Sequence, residues 1–386
     1  MSQIDYTPTL PLLYTRGTHY EVGYQNGSAF QEWIKRFFNS NPIMQNLMLP
    51  FYHTRKGREI YHEYLKAAED NFPQYIAEIR GMSEASAMPF EHLFLMNLTP
   101  EEYSINIMDS ENEHESHVYG CSSVVLNRPD VKIIAHNEDC EPMNSSFAYI
   151  VSAHIIDHNA KRATVTCDEE QFTALTYAGT LPGFAFGFNK YGVVYALNEI
   201  EPKSINFGYP PVAFRSRAFL SACDVDDFVR IARNEGHGAS VGFNANIASL
   251  NQKEMWSLEV GPGKLESPLE LTVIAQQNDQ DKPCHYFHFN YYKHLEGIEI
   301  NPAIPSSTAR SKRAHEIKPP RTIRDVKAVL GDTQNSSYPI FRRPKNPDQC
   351  ITSCTVLFNI LEKTTEIYVE NPSLCNEPLW KLPLTF

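Results

Sequence analysis

The chain has 386 residues, 42% of them hydrophobic and 12% aromatic, which supports a large core and excludes a disordered chain. Its formal net charge is -12, with no long run of Lys or Arg, which excludes binding along a nucleic acid or an anionic membrane surface and suits a cationic small molecule. No run of about 18 apolar residues occurs, so no membrane span is expected.

In chain order, residues 9–15 predict a short strand, and a turn and a helix follow within residues 16–38. The stretch 57–70 is helical, with Ile60, Tyr61, Tyr64, Leu65 and Ala68 on one face. A second helix starts at Pro73, a residue suited to a first helical position, and turns Tyr75, Ile76, Ile79 and Met82 inward. Gly81 inside that pattern predicts close approach of another backbone. The polar, acidic stretch "DSENEHES" reads as a loop, and then the character changes. "CSSVVLN" and "VKIIAHNED", separated by "RPD", predict a hairpin. "SFAYIVSAHII", "RATVTCD" and "YGVVYALNEI" continue as strands, residues 211–235 return to helix with a capping Asp, and "VGFNANIASL" and "EMWSLEV" are strands again. Helices are expected from Ser306 to Ile317 and over "TIRDVKAVLGD", ending at Gly331. "CTVLFNIL" and "TEIYVEN" close the chain as a hairpin. With no repeat and no long linker, the order predicts one α+β domain over 1–386 with antiparallel sheet, not a βαβ array.

The Gly120–Cys121 step sits where loop gives way to strand. A cysteine is a strong nucleophile once something takes its proton. Two histidines, His136 and His237, offer themselves as bases, without a supporting local context. The other source is an amine. If the Gly120–Cys121 bond breaks, the new α-amino group has a reference pKa of about 7.7–8.0 and is a base near operating pH. Asp139 lies eighteen residues on, across the expected hairpin. Asn244 and Asn246 place amides in an otherwise apolar strand, and buried amides need partners or serve as oxyanion donors. "IPSSTARSKRAHEI" carries Ser306, Ser307, Arg310 and Arg313 at a helix start.

The Gly-Cys-Ser-Ser step, "NED", "FNANIAS" and "SSTAR" together resemble the isopenicillin N acyltransferase-like family of N-terminal nucleophile hydrolases. The resemblance runs over essentially the whole chain and points to the members that hydrolyse β-alanyl amides of biogenic amines, with stretches such as "LPLLYTRGTHYEVG" and "YAGTLPG" carrying it. It implies a four-layer αββα sandwich and self-cleavage between Gly120 and Cys121, giving fragments 1–120 and 121–386 that stay together. It implies Cys121 as nucleophile, Asp139 as catalytic Asp, Asn244 as oxyanion donor and Arg310 as the family arginine. The implied substrates are N-β-alanyldopamine and carcinine, and no cofactor or metal is expected. Glu138, Glu199 and Glu259 are the candidates for the substrate's ammonium. Tyr119 and the loop before it depart from the family pattern, which leaves the efficiency of self-cleavage open.

Scattered cysteines, no basic-then-apolar leader and an ending, "LPLTF", that is no peroxisomal tripeptide lead to the expectation of a cytoplasmic protein. Three alternatives stand beside this reading. One is acyl transfer, or amide hydrolysis on another N-acyl amine. Another is a metal-binding protein using Cys284, His285, His288, Cys350 and Cys354, whose spacing lacks a paired Cys-x-x-Cys. The last is a scaffold that lost its chemistry.

Overall fold

Period-two alternation in the strands organises the molecule. In strand β8 (Gly242–Ser249), Phe243, Ala245 and Ile247 enter one apolar core, while Ala248 belongs to another on the opposite face. The computed structural model describes residues 9–98, 101, 120–165, 167–276, 284–300 and 305–386. The "DSENEHES" segment and Tyr119 lie outside these residues.

Two sheets result. The larger contains β1 (Leu12–Gly17), β4 (Ala148–Ile156), β5 (Glu169–Tyr177), β6 (Phe186–Asn189), β7 (Val193–Ile200), β8, β9 (Met255–Val260) and β10 (Leu269–Ile274), side by side in that order. The smaller runs β11 (His285–His288), β2 (Gly120–Asn127), β3 (Lys132–Cys140), β12 (Ile351–Asn359), β13 (Thr364–Tyr368) and β14 (Trp380–Pro383). All pairings are antiparallel except β1 with β4.

Three apolar clusters separate four layers. The N-terminal helices and the helices Val212–Phe219 and Val225–Arg233 cover one face of the larger sheet. Val125, Ile134, Ile150, Val194 and Val356 fill the space between the sheets. Ala314, Val326 and Val329, from the helices Pro305–Glu316 and Ile323–Leu330, cover the outer face of the smaller sheet. The order is therefore αββα, as expected.

Local sequence accounts for the element ends. Thr18 caps the first helix in a capping box with Glu21, and Asp224 accepts from the N–H of Asp227 at 2.8 Å. Pro73 opens its helix and the "RPD" turn joins β2 to β3. The expected strand at 162–168 is a correction: the described residues there form no strand, and β5 begins at Glu169. Glu170, fully buried in β5, hid that strand, because its charge is met by residues far off in sequence, Arg217 at 2.7 Å and His19 at 3.4 Å. Residues 211–235 form two helices rather than one, since the turn after Phe219 leads to a fresh cap at Asp224. The helix expected within 16–38 likewise breaks at Phe30.

The helices His19–Ala29 and Pro73–Ser86 touch backbone to backbone. A Cβ on Gly81 would lie 2.1 Å from the Tyr20 carbonyl oxygen, and one on Gly23 would lie 1.9 Å from that of Glu78. The same crossing buries an ionic cluster: Arg217 forks onto Glu78 at 2.6 and 3.1 Å, and His19 Nδ1 meets Glu78 at 2.7 Å. Gly81→Ala is expected to push the two helices apart and cost about 1–3 kcal/mol. A urea midpoint unchanged from the parent would contradict this contact.

Candidate active site

The hairpin β2–β3 sets the site. Gly120 pairs with Asp139 and Cys121 with Glu138. Alternation then sorts the side chains. Cys121, Ser123, His136 and Glu138 face the larger sheet, while Ser122 and Asp139 face the outer helical layer, where Arg310 and Arg342 wait.

On the outer side, Arg310 is fully buried. It donates to the Cys121 carbonyl at 2.6 Å, to Ser122 Oγ at 2.9 Å and to Asn290 Oδ1 at 2.9 Å. Ser306 Oγ, one helical turn back, accepts from its Nε at 3.1 Å. Burial and the neighbouring Arg342 lower its pKa to about 10. Arg342 forks onto Asp348 and stands 3.6 Å from Asp139. Burial pushes the Asp139 carboxyl up to about 7, against the pull of Arg342, Arg310 and a 2.7 Å hydrogen bond from Thr352. Gly120 is confined by this ionic layer. A Cβ there would meet guanidinium nitrogens of Arg310 and Arg342 at 2.6 and 2.7 Å. Arg313, the rival of Arg310, points away and pairs with Asp332 at 2.8 Å.

On the inner side, a cavity is lined by Cys121, Glu138, Asp139 and Glu199, with Tyr177, Phe184, Phe37 and Met44 among its apolar walls. The Cys121 thiol lies 3.5 Å from Glu138 Oε2, and Tyr177 donates to Glu138 Oε1 at 2.8 Å. Burial, and then the carboxylates of Glu138, Asp139 and Glu199, push the thiol well up. Burial likewise raises Glu199 well above the usual carboxylate range, helped by Glu201, Glu138 and Glu101. No lysine or arginine pairs with Glu199 among the described residues.

The other site candidates fall elsewhere. Asn244 does not line the cavity. Its Nδ2 donates to Ser257 Oγ at 2.8 Å and to the Leu258 carbonyl at 3.2 Å. That carbonyl orients a whole chain of groups between the sheets. Asn244 Oδ1 must then accept from Asn246 Nδ2 (2.9 Å), which also donates to Asn198 Oδ1 (3.0 Å). Asn198 Oδ1 accepts from Ser123 Oγ at 2.7 Å, so Ser123 is free to accept from His136 Nδ1 at 2.9 Å. Glu259 lies outside the cavity as well. Although burial opposes it, hydrogen bonds from His288 and the backbone N–H groups of Leu295 and His294 hold its carboxyl at about 2. His237 is exposed on a turn, whereas His136 is buried near the thiol. The metal candidates are split, since β2 and β3 separate β11, with His285 and His288, from β12, with Cys354.

Sequence reasoning did not find Asn290. Its Oδ1 accepts from the Cys121 N–H at 3.1 Å and from Ser307 at 3.2 Å, and its Nδ2 donates to the Glu199 carbonyl at 2.9 Å. The signal was a single Asn just past the short strand "HYFH", at a long range in sequence from Cys121.

A family model described as acyl-coenzyme A:6-aminopenicillanic acid acyl-transferase matches residues 126–374. The chain belongs to this family. It is 31% identical to the β-alanyl-dopamine/carcinine hydrolase of Drosophila melanogaster over 384 residues, 98% of this chain and 97% of that protein. A solved structure, penicillin V acylase from Agrobacterium tumefaciens, is 12% identical, covers 64% of this chain and 82% of its own, and superposes with a TM-score of 0.39. From the family match and the Drosophila relative, the protein is an amide-cleaving N-terminal nucleophile hydrolase with a cysteine nucleophile, and the αββα layering accords with that class. Among the described residues, no helix is long and apolar enough to cross a membrane.

Burial raises Glu201 to about 7. A carboxyl raised on folding keeps its proton in the folded state after the unfolded chain has released its own. Its contribution to stability is present below about pH 4 and is lost as pH rises toward 7. Glu201→Gln removes that loss. Urea midpoints of Glu201→Gln should therefore gain on those of the parent between pH 5 and 8, and a constant difference across that range would contradict the assignment.

Proposed function

We propose that the protein hydrolyses β-alanyl amides of biogenic amines, N-β-alanyldopamine and carcinine, after cutting itself between Gly120 and Cys121. The observation that carries this is the cavity: a buried cysteine thiol shares it with the carboxyl groups of Glu138 and Glu199, while Asp139, which also borders it, turns its carboxyl outward to Arg342. Such a space favours a substrate that is itself a cation, held so that its amide carbonyl meets the thiol. The kinship with a β-alanyl-dopamine/carcinine hydrolase supports the same substrate class.

In the uncut chain, Arg310 grips the Cys121 carbonyl and its guanidinium lies against Gly120, which limits how this segment can move while the thiol attacks the preceding carbonyl. Cleavage turns the Cys121 N–H into an amine. Asn290 Oδ1 is already its partner at 3.1 Å and holds it beside the thiol. The amine then takes the thiol proton, and the positive charge it acquires offsets the carboxylates that keep the thiol protonated in the precursor. The thiolate attacks the β-alanyl carbonyl, the ammonium protonates the departing amine, and water releases β-alanine from the thioester. Asn244 is not assigned the oxyanion contact, because its donors are spent on Ser257 and Leu258 and it does not line the cavity. Glu199 receives the substrate's ammonium, and Glu138, steadied by Tyr177, lies beside the thiol as a second acceptor. Phe184, Phe37 and Met44 are apolar walls suited to a catechol or imidazole. The two fragments, 1–120 and 121–386, remain together in this reading. The second reading is acyl transfer, favoured by the description of the matching family; adding a competing amine and seeking a new amide separates the two.

Cys121→Ala should give one uncut chain with no amine release, whereas the parent should yield a fragment beginning Cys-Ser-Ser-Val. Intact mass with N-terminal sequencing decides this, and cleavage at the same bond in the variant would overturn the assignment. Glu199→Gln should raise KM for carcinine about tenfold or more, since a hydrogen bond to a charged group is worth roughly 1.5–3 kcal/mol. An equal loss on an uncharged acyl analogue would remove Glu199 from ammonium recognition.

A further inference from the structure

The oriented chain from Leu258 ends at His136 and Glu138. Because Ser123 gives its proton to Asn198, His136 Nδ1 must carry the hydrogen of the His136–Ser123 bond. The His136 Nε2 then faces Glu138 Oε2 at 3.4 Å, where the two must share a proton or another cation. The Cys121 thiol is 3.5 Å from the same oxygen. His136 Nε2, Glu138 Oε2 and the Cys121 sulfur thus converge on one small space suited to a cation.

The spacing fits a metal ion. Zinc bonds of about 2.0–2.3 Å at tetrahedral angles separate neighbouring donor atoms by roughly 3.3–3.8 Å. The Cys121, His136 and Glu138 donor atoms all lie within 4.8 Å of one another. His136 is oriented through its other nitrogen by Ser123, the outer-shell arrangement typical of metal-bound histidine. Cys121 and Glu138 line the cavity, so the space is reachable from it.

We propose that this pocket is an inhibitory zinc site superimposed on the nucleophile. The ligands are Cys121 Sγ, His136 Nε2 and one Glu138 oxygen. In the cut protein the Cys121 α-amine is the fourth, because an N-terminal cysteine chelates through nitrogen and sulfur together; this ligand rests on the reading above. On binding, the S–H and ammonium N–H bonds break, the S–Zn and N–Zn bonds form, and the protons go to solvent. No electrons move. The ion occupies both the nucleophile and Glu138, so it competes with the cationic substrate.

The test uses the purified protein, freed of metal by chelator and titrated with Co²⁺ as a spectroscopic probe, with Zn²⁺ as the inhibitor. The expected result is one equivalent of Co²⁺ with a near-ultraviolet thiolate charge-transfer band, and loss of amine release with Zn²⁺ that EDTA reverses. The band should vanish in Cys121→Ser, and His136→Gln should weaken Zn²⁺ binding at least tenfold. Thermal melts of both variants establish that they are folded. If His136→Gln does not fold, Ser123→Ala, which leaves the ring in place but frees its orientation, should weaken binding in the same direction. Absence of the band at micromolar Co²⁺, or its survival in Cys121→Ser, overturns the site. Intact mass on the same sample keeps the two proposals apart: an uncut chain overturns the amine ligand and the self-cleavage reading, while the band still decides the three side-chain ligands.

Discussion

The rest of the site depends on two arginines held without water around one glycine. Arg310 and Arg342 are both fully buried, and their guanidinium groups close on Gly120 and reach the backbone of Cys121 or the carboxyl of Asp139. Buried charges of like sign are costly unless every proton finds an acceptor. Here Asp348, Asn290, Ser122, Ser306, Ser307 and the Cys121 carbonyl supply acceptors, and Asp139 adds an ion pair at 3.6 Å. Satisfying that layer leaves the segment around Cys121 little freedom, and a nucleophile gains from being immobile before reaction.

The two faces of β2 do separate jobs because side chains alternate. The outer face neutralises and grips; the inner face presents the thiol to an acidic cavity. Carboxylates near a thiol work against its ionisation in the uncut chain, and the same carboxylates attract a cationic substrate. An amine released beside the thiol reconciles the two demands. His136 and Glu138 meet at the same place, so one small volume offers itself to a proton, a substrate ammonium or a metal ion.

The candidate residues read from sequence divide by distance along the chain. Cys121, Glu138 and Asp139 sit on neighbouring strands of one hairpin, and a hairpin with a short turn brings its residues together wherever it is placed. Arg310 was identified among four polar residues of one helix, and the layer it faces distinguishes it from Arg313, which reaches Asp332 instead. Asn244 and Asn290 reverse the expectation. Both are buried amides in strand-rich segments, but the Leu258 carbonyl turns one into the anchor of a tautomer-setting chain, while β11 pairing with β2 brings the other to the Cys121 N–H. Glu259 is acidic and buried, yet hydrogen bonds from His288 and three backbone N–H groups make it a structural carboxylate.

By itself, the sequence determined the class of architecture, the hairpin that carries the nucleophile, and the chemistry available at the loop–strand join. These follow from period-two and period-3.6 patterns and from residue types within a few positions of each other, which are local properties. Only the tertiary structure decided which acids face a cavity, which amide meets the nucleophile, and which histidine nitrogen faces a carboxylate. Those depend on the facing of two sheets whose strands lie far apart in sequence, and on where a single backbone carbonyl, that of Leu258, forces the direction of every hydrogen bond that follows.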